Sequence, residues 1–102
     1  MEPILNAAKA ARLLDAGLAV AVDVREPDEY AQGHLPGAVL LPLSRLPQQA
    51  ARVLPQKQQQ LLVYCHSGRR SAAACAVLRR LGYARVQNLG GILQWPYELE
   101  DE

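Results

Sequence analysis

Short apolar runs alternate along the chain with segments whose apolar residues recur at helical spacing. The runs are nearly continuous, which is typical of strands that are buried on both faces of a sheet. They lie at residues 18–24, 39–41, 61–64 and 85–89. The predicted helices are residues 6–16, 44–54 and 70–81, with shorter helical segments at 27–32 and 92–97. Strands that alternate with helices indicate an α/β fold, with a mostly parallel sheet and helices on both faces.

Residue types at the boundaries of these elements support the division. Asn6 is a suitable N-cap for the first helix, and Gly82 is a suitable stop after residue 81. Ser44 is expected to cap the middle helix, with Pro47 in its first turn. The glutamine-rich stretch after Pro55 is expected to be a solvated loop. The acidic tail, residues 98–102, is expected to be frayed.

Length and charge restrict the classes of protein. The chain has 102 residues, half of them hydrophobic, with 11 Lys and Arg against 10 Asp and Glu. We therefore expect one domain over residues 1–102, with a single core and neither a nucleic-acid nor a membrane partner. No run approaches the roughly 18 apolar residues of a membrane span. Two cysteines and a start unlike a signal peptide indicate a reducing, cytoplasmic setting.

Cys65 carries the strongest chemical signal. It ends the apolar run 61–64 and is followed by a short polar turn that contains Gly68 and then by the helix 70–81. This order places a thiol where backbone N–H groups and the positive end of a helix converge, which favours a nucleophilic thiolate. It also lies at the carboxyl end of a strand, where α/β sheets bind ligands. Cys75, in the second turn of the helix, is expected to fill the core, and a disulfide with Cys65 is disfavoured.

Three segments resemble the rhodanese family. Residues 23–30 with 33–38 resemble its first signature, Cys65-His66-Ser67-Gly68-Arg69-Arg70 resembles its active-site loop C-x-x-G-x-R, and Gly90-Gly91 with Trp95 resembles its closing signature. These matches cover nearly the whole chain in the right order. The resemblance implies an open, mostly parallel sheet of about five strands. It also implies a sulfurtransferase in which thiosulfate donates its outer sulfur to Cys65, forming a persulfide, and a thiol or cyanide accepts it.

The turn after Cys65 is the expected binding site for the small anionic donor. Its residues are Arg70, Arg69, His66, Ser67, Gly68 and Ser71. Main-chain amides from residues 66–71 are expected to hold the sulfur, and Gly68 permits the turn that aims them. Arg70 is the favoured anion ligand because it fills the loop-ending position of the motif, whereas Arg69 fills a variable one. Sulfur transfer of this kind needs no metal or organic cofactor.

Other polar and aromatic residues have simpler expected roles. His66 is expected to face water and to act in substrate selection in preference to proton transfer. Ser71 is expected to support the first helical turn. Asp23 and Arg25 are expected to form an ion pair that fastens loops together. His34 is expected to be structural, and Trp95 to lie in the core or to wall the pocket.

Two rival functions use the same loop chemistry. Cysteine phosphatases and arsenate reductases resemble C-x-x-x-x-x-R, with five residues before the arginine, whereas Arg70 follows Cys65 after four. The shorter loop should enclose a sulfur atom better than a tetrahedral phosphate. The other rival is a sulfur carrier or docking module that passes sulfur to a protein thiol, and the sequence does not separate it from an enzyme.

Overall fold

Four parallel strands form one sheet in the computed structural model, which describes residues 3–101. They are β1 (Val20–Asp23), β2 (Val39–Leu40), β3 (Leu61–Cys65) and β4 (Val86–Gly91). Their order in the sheet is β2-β1-β3-β4. All five residues of the central strand β3 are buried, and so are three of the four residues of β1 beside it. The sheet therefore places Cys65 at the carboxyl end of a central strand.

The strand count implied by the resemblance, about five, is wrong, because the described residues form four strands. Ile4 makes a single parallel bridge to Asn88, and the Leu5 N–H donates to the Asn88 carbonyl at 2.9 Å. Pro3 has no N–H to extend this pairing, and the first helix begins at Ala7, so the chain leaves the sheet after one contact. The segment before the first helix therefore adds a bridge and no strand.

The helices lie close to their predicted positions. They are α1 (Ala7–Asp15), α2 (Pro27–Gln32), α3 (Leu46–Val53) and α4 (Arg69–Arg80), with 3₁₀ turns at Leu43–Arg45 and Ile92–Gln94. Asn6 caps α1, since its side chain accepts from the Lys9 N–H at 3.1 Å. The predicted cap at Ser44 is wrong, because Ser44 lies within the first 3₁₀ turn. A cap at Ser44 would need the N–H of Leu46 or of Pro47, but the Leu46 N–H donates to the Leu43 carbonyl and Pro47 has no N–H.

Two hydrophobic clusters lie on opposite faces of the sheet. One contains residues of α3 and α4, including Leu46, Cys75 and Leu78. The other contains Ala10 of α1, and Tyr30 of α2 packs against it. Helices thus cover both faces, as predicted. None of the helices within residues 3–101 has the length and apolar character that a bilayer span requires.

The segment after β4 contacts the loop that follows α2. The predicted helix 92–97 is only a 3₁₀ turn, because Trp95 precedes Pro96 and is extended, with ψ 117°. The prediction of a frayed tail is wrong at Glu100. Glu100 and His34 form an antiparallel bridge in which each N–H donates to the other's carbonyl at 2.8 Å. Glu102 lies outside the described residues.

Candidate active site

The side chain of Cys65 is held by main-chain amides of the turn that follows it. Its Sγ accepts from the Gly68 N–H at 3.0 Å and from the Ser71 N–H at 3.3 Å. Gly68 has φ +107°, a left-handed conformation that side chains rarely adopt, and it precedes the first residue of α4. The sharp turn at glycine brings both N–H groups onto one sulfur. This arrangement stabilises negative charge on Sγ.

The last strand supports the turn from behind. A Cβ on Gly91 would lie 2.4 Å from the His66 carbonyl oxygen and 2.7 Å from the Ser67 Cα, so only glycine allows this approach. The Ser71 hydroxyl donates to the Gly68 carbonyl at 3.0 Å and also contacts the Gly90 carbonyl at 3.5 Å. Ser71 therefore supports the first turn of α4, as predicted. The turn is fixed by contacts with β4 as well as by its own backbone.

Exposure differs sharply between the sulfur and the turn around it. Cys65 is only 1% exposed, although its neighbours His66, Ser67 and Arg69 are exposed. Gly68 and Arg70 are half-buried, and Ser71 is buried. The exposure of His66 agrees with the prediction that its side chain faces water.

Arg70 is engaged by an acidic residue that the sequence analysis did not single out. Its two terminal nitrogens bind the two Glu29 carboxylate oxygens at 2.8 and 2.9 Å. Glu29 Oε1 also accepts from the Glu26 N–H at 2.9 Å, within the capping box of α2. Hydrogen bonding to Arg70 lowers the pKa of Glu29 to about 2. The signal that could have pointed to this residue is an acid in the first turn of a helix that follows a buried strand.

A buried network lies beside the site, at the end of β1. Arg25 binds the Asp23 carboxylate at 2.7 Å and the Gly33 carbonyl at 2.7 Å, which confirms the predicted ion pair between loops. The Tyr64 hydroxyl donates to Asp23 at 2.7 Å and accepts from the Leu35 N–H at 3.1 Å. Burial and the Asp23 charge raise the pKa of Tyr64. Burial opposes the charge on Arg25, but hydrogen bonding to Asp23 and its charge outweigh burial and raise the Arg25 pKa.

The remaining candidate residues have structural environments. His34 is buried, its Nδ1 lies 2.8 Å from the Tyr30 carbonyl, and its ring stacks on Tyr30 with centroids 3.7 Å apart. Trp95 is half-buried and packs against the cluster that contains Ala10, so it belongs to the edge of that core. Cys65 and Cys75 form no disulfide, and Cys75 lies fully within the other cluster, as predicted. Within residues 3–101, no group of three or more His, Cys, Asp or Glu side chains is placed to hold a metal.

The chain is similar to known proteins over most of its length. The family model of the rhodanese-like domain matches residues 6–97. A sulfurtransferase of Allochromatium vinosum is 44% identical over 85 residues, which are 82% of this chain and 78% of the relative. The thiosulfate sulfurtransferase PspE of Escherichia coli is 39% identical over 71 residues, 70% of this chain and 68% of the relative.

One further relative and a solved structure extend the comparison. The putative sulfur carrier protein YrkF of Bacillus subtilis is 34% identical over 80 residues, 78% of this chain and 42% of the relative. The human single-domain sulfurtransferase TSTD1 superposes with a TM-score of 0.82 at 29% identity, covering 93% of this chain and 96% of its own. The fold and the sequence thus lead to the same group of proteins.

Proposed function

Because this chain belongs to the rhodanese family, we propose that it is a sulfurtransferase in which Cys65 carries sulfane sulfur as a persulfide. The observation that supports this role most directly is the convergence of the Gly68 and Ser71 N–H groups on Cys65 Sγ. Both donors are main-chain groups held by a glycine turn and by a helix. They are available to the thiolate and, after transfer, to the negatively charged persulfide.

The proposed reaction has two displacements at sulfur. In the first, the Cys65 thiolate attacks the outer sulfur of thiosulfate, a new S–S bond forms, and the original S–S bond breaks with its electron pair leaving on sulfite. In the second, a thiolate or cyanide attacks the terminal sulfur of the persulfide and restores the Cys65 thiolate. Electrons and atoms balance in each step without a metal or an organic cofactor.

The length of the loop favours a sulfane donor over a phosphate ester. Four residues separate Cys65 from Arg70, one fewer than in the phosphatase motif. A shorter loop leaves less room for a tetrahedral phosphate, whereas the outer sulfur of thiosulfate is a single terminal atom. The spacing therefore supports sulfur transfer and disfavours the phosphatase alternative.

A sulfur carrier with a protein acceptor is the second candidate. It is supported by the similarity to YrkF, which is described as a putative sulfur carrier protein. The persulfide chemistry is the same in both roles, and the difference lies in whether the accepting thiol is small or belongs to a protein. Both roles need reduced cysteines, which is why we propose a reducing compartment, the cytoplasm, for this chain.

Intact-protein mass spectrometry tests the proposal. After incubation with thiosulfate and removal of excess donor, the protein should carry one extra sulfur, and peptide mapping should place it on Cys65. Cys65→Ala should carry none and should form no thiocyanate from thiosulfate and cyanide. Cys75→Ala is the matched control, because it removes the other thiol from the core and should keep the extra sulfur. A wild-type protein that stays unmodified, or a Cys65→Ala protein that still forms thiocyanate, would refute the assignment.

A phosphatase assay and an acceptor assay separate the alternatives. Hydrolysis of p-nitrophenyl phosphate that disappears in Cys65→Ser would favour phosphate chemistry. Transfer of labelled sulfur from Cys65 to protein thiols, with slow turnover on thiosulfate and cyanide, would favour the carrier. Rapid turnover with small thiols would favour the enzyme.

A further inference from the structure

Both terminal nitrogens of the Arg70 guanidinium are engaged by protein. Both of its terminal nitrogens bind Glu29, in the two-pronged geometry that a planar guanidinium makes with a carboxylate. The Glu29 carboxylate is itself held from a second side by the Glu26 N–H. An anion that bound the two terminal nitrogens in the same two-pronged way would have to displace a carboxylate that is already oriented. The pairing therefore argues against Arg70 as a two-pronged ligand of the donor.

The pair joins two loops that meet at one edge of the sheet. β1 and β3 are neighbours, with Asp23 opposite Tyr64, so the segments that leave their carboxyl ends start side by side. α2 carries Glu29 and α4 carries Arg70. The contact connects residues 41 positions apart in sequence and ties the start of α4 to the start of α2.

The main chain of Arg70 is directly connected to the sulfur site. The carbonyl of Arg70 and the N–H of Ser71 belong to one peptide plane, and that N–H donates to Cys65 Sγ at 3.3 Å. Fixing the Arg70 side chain therefore restrains the orientation of one of the two amides that hold the sulfur. Since a hydrogen bond weakens steeply when its angle is poor, a rotation of this plane would reduce the stabilisation of the sulfur.

The neighbouring arginine has the opposite character. Arg69 is exposed, and within residues 3–101 it makes no ion pair or side-chain hydrogen bond. It directly follows Gly68, whose N–H is the other donor to Cys65 Sγ. Its positive charge is thus uncompensated at the turn, whereas the charge of Arg70 is balanced by Glu29.

We propose that Arg70 is a positioning residue, locked by Glu29 so that the Ser71 amide faces Cys65, and that Arg69 is the cation that meets the donor's anionic group. This inference rests on the proposed sulfur transfer and deepens it, because it assigns the positioning of the amide to Arg70 and the binding of the donor to Arg69. It reverses the expectation from sequence, in which Arg70 was the favoured ligand and Arg69 the variable position.

Glu29→Gln distinguishes the two assignments because they predict opposite changes. If Arg70 positions the amide, loss of the carboxylate charge loosens the peptide plane that carries the Ser71 N–H. The kcat for thiocyanate formation should then fall about tenfold to a hundredfold, and the KM for thiosulfate should change by less than about twofold. If Arg70 binds the donor, the variant frees its guanidinium and the KM should fall. A lower KM with kcat intact would overturn the proposal.

Arg69→Ala and Arg70→Lys complete the set. Loss of a charged hydrogen bond to the donor should raise the KM of Arg69→Ala by about tenfold or more, with kcat nearly unchanged. Arg52→Ala is its matched control, since Arg52 is an exposed helical arginine of α3 and should change neither constant. Arg70→Lys keeps the charge without the fork, so its kcat should lie between wild type and Glu29→Gln. An unchanged KM in Arg69→Ala would overturn the role of Arg69.

Two controls separate this inference from the proposed function. The wild-type protein is first tested for one extra sulfur on Cys65 after thiosulfate, and a negative result would overturn both proposals. With a positive result, the kcat and KM pattern of the variants decides the inference alone. Thermal unfolding shows whether Glu29→Gln is folded at the assay temperature. If it is not, Glu29→Asp, which keeps the charge but shortens the reach to Arg70, should show the same loss of kcat, and a wild-type kcat in that variant would overturn the positioning role.

Discussion

Gly91→Ala should damage the sulfur site without touching any side chain that takes part in it. Gly91 has φ −104° and ψ 145°, so alanine is conformationally allowed there. The added Cβ, however, would lie 2.4 Å from the His66 carbonyl oxygen, 2.7 Å from the Ser67 Cα and 2.9 Å from the Ser67 carbonyl carbon. All three atoms are backbone of the turn that follows Cys65. The clash therefore acts on the turn itself and on no flexible side chain.

The geometry sets the size of the effect. The His66 carbonyl must retreat by about 1 Å to reach an ordinary nonbonded distance of about 3.5 Å. Overpacking of this kind costs about 1–3 kcal/mol of stability. A displacement of about 1 Å at a reacting centre lowers the rate by about a hundredfold. We therefore expect kcat/KM for thiocyanate formation to fall by that order while the protein remains folded.

Gly17→Ala is the matched control for this substitution. Gly17 has φ +72° with no atom within 4 Å of the added Cβ, so alanine there is strained by its backbone and by no clash. The strain should cost about 1–2 kcal/mol, similar to the loss in Gly91→Ala, in a turn after α1 that does not contact Cys65. Steady-state assays and thermal unfolding of both variants separate lost stability from lost alignment. Equal kcat/KM in Gly91→Ala and Gly17→Ala would refute the claim that Gly91 positions the turn.

Two further predictions concern the groups beside the sulfur site. Tyr64→Phe removes the hydroxyl that donates to Asp23 at 2.7 Å and accepts from the Leu35 N–H. The free energy of unfolding, measured with urea, should therefore fall by about 2–3 kcal/mol. A fall below about 0.5 kcal/mol would contradict this prediction. The pKa of Glu29 is lowered from 4.5 to about 2, so the ion pair with Arg70 stabilises the fold above about pH 4.5 and this contribution disappears as the pH falls toward 2. Because both side chains are partly exposed, the ion pair should contribute about 1 kcal/mol to the free energy of unfolding. The difference in this free energy between wild type and Glu29→Gln should shrink between about pH 6 and about pH 3. A constant difference would contradict the assignment.

Local sequence signals predicted most of the secondary structure. α1 follows its Asn6 cap, β3 is one residue longer than the apolar run 61–64, and α4 begins one residue before its predicted start. These elements depend on neighbours in sequence, such as caps, apolar runs and glycine stops. The failures at Ser44 and in the 92–97 segment come from prolines, whose missing N–H or effect on the preceding residue overrode a favourable local pattern.

Contacts between distant residues were much harder to predict. The ion pair between Glu29 and Arg70 and the bond between Tyr64 and Asp23 each join residues 41 positions apart. Both depend on β1 and β3 being neighbours, which follows from the strand order and not from any local pattern. The docking of Glu100 on His34 has the same origin, because no feature of an acidic tail indicates the surface that it meets.

The separation of the two arginines follows from where the sulfur is held. The groups that contact Cys65 Sγ are the N–H groups of Gly68 and Ser71, and neither requires a particular side chain at the exposed positions 66, 67 and 69. Under the proposed function, substitutions at those three positions can change which donor or acceptor binds without altering the two N–H groups that hold the sulfur. Arg70 differs because its side chain is part of the scaffold through Glu29. Substitutions at Arg69 should therefore alter which donors are used, whereas substitutions at Arg70 should slow the transfer of sulfur from all of them alike.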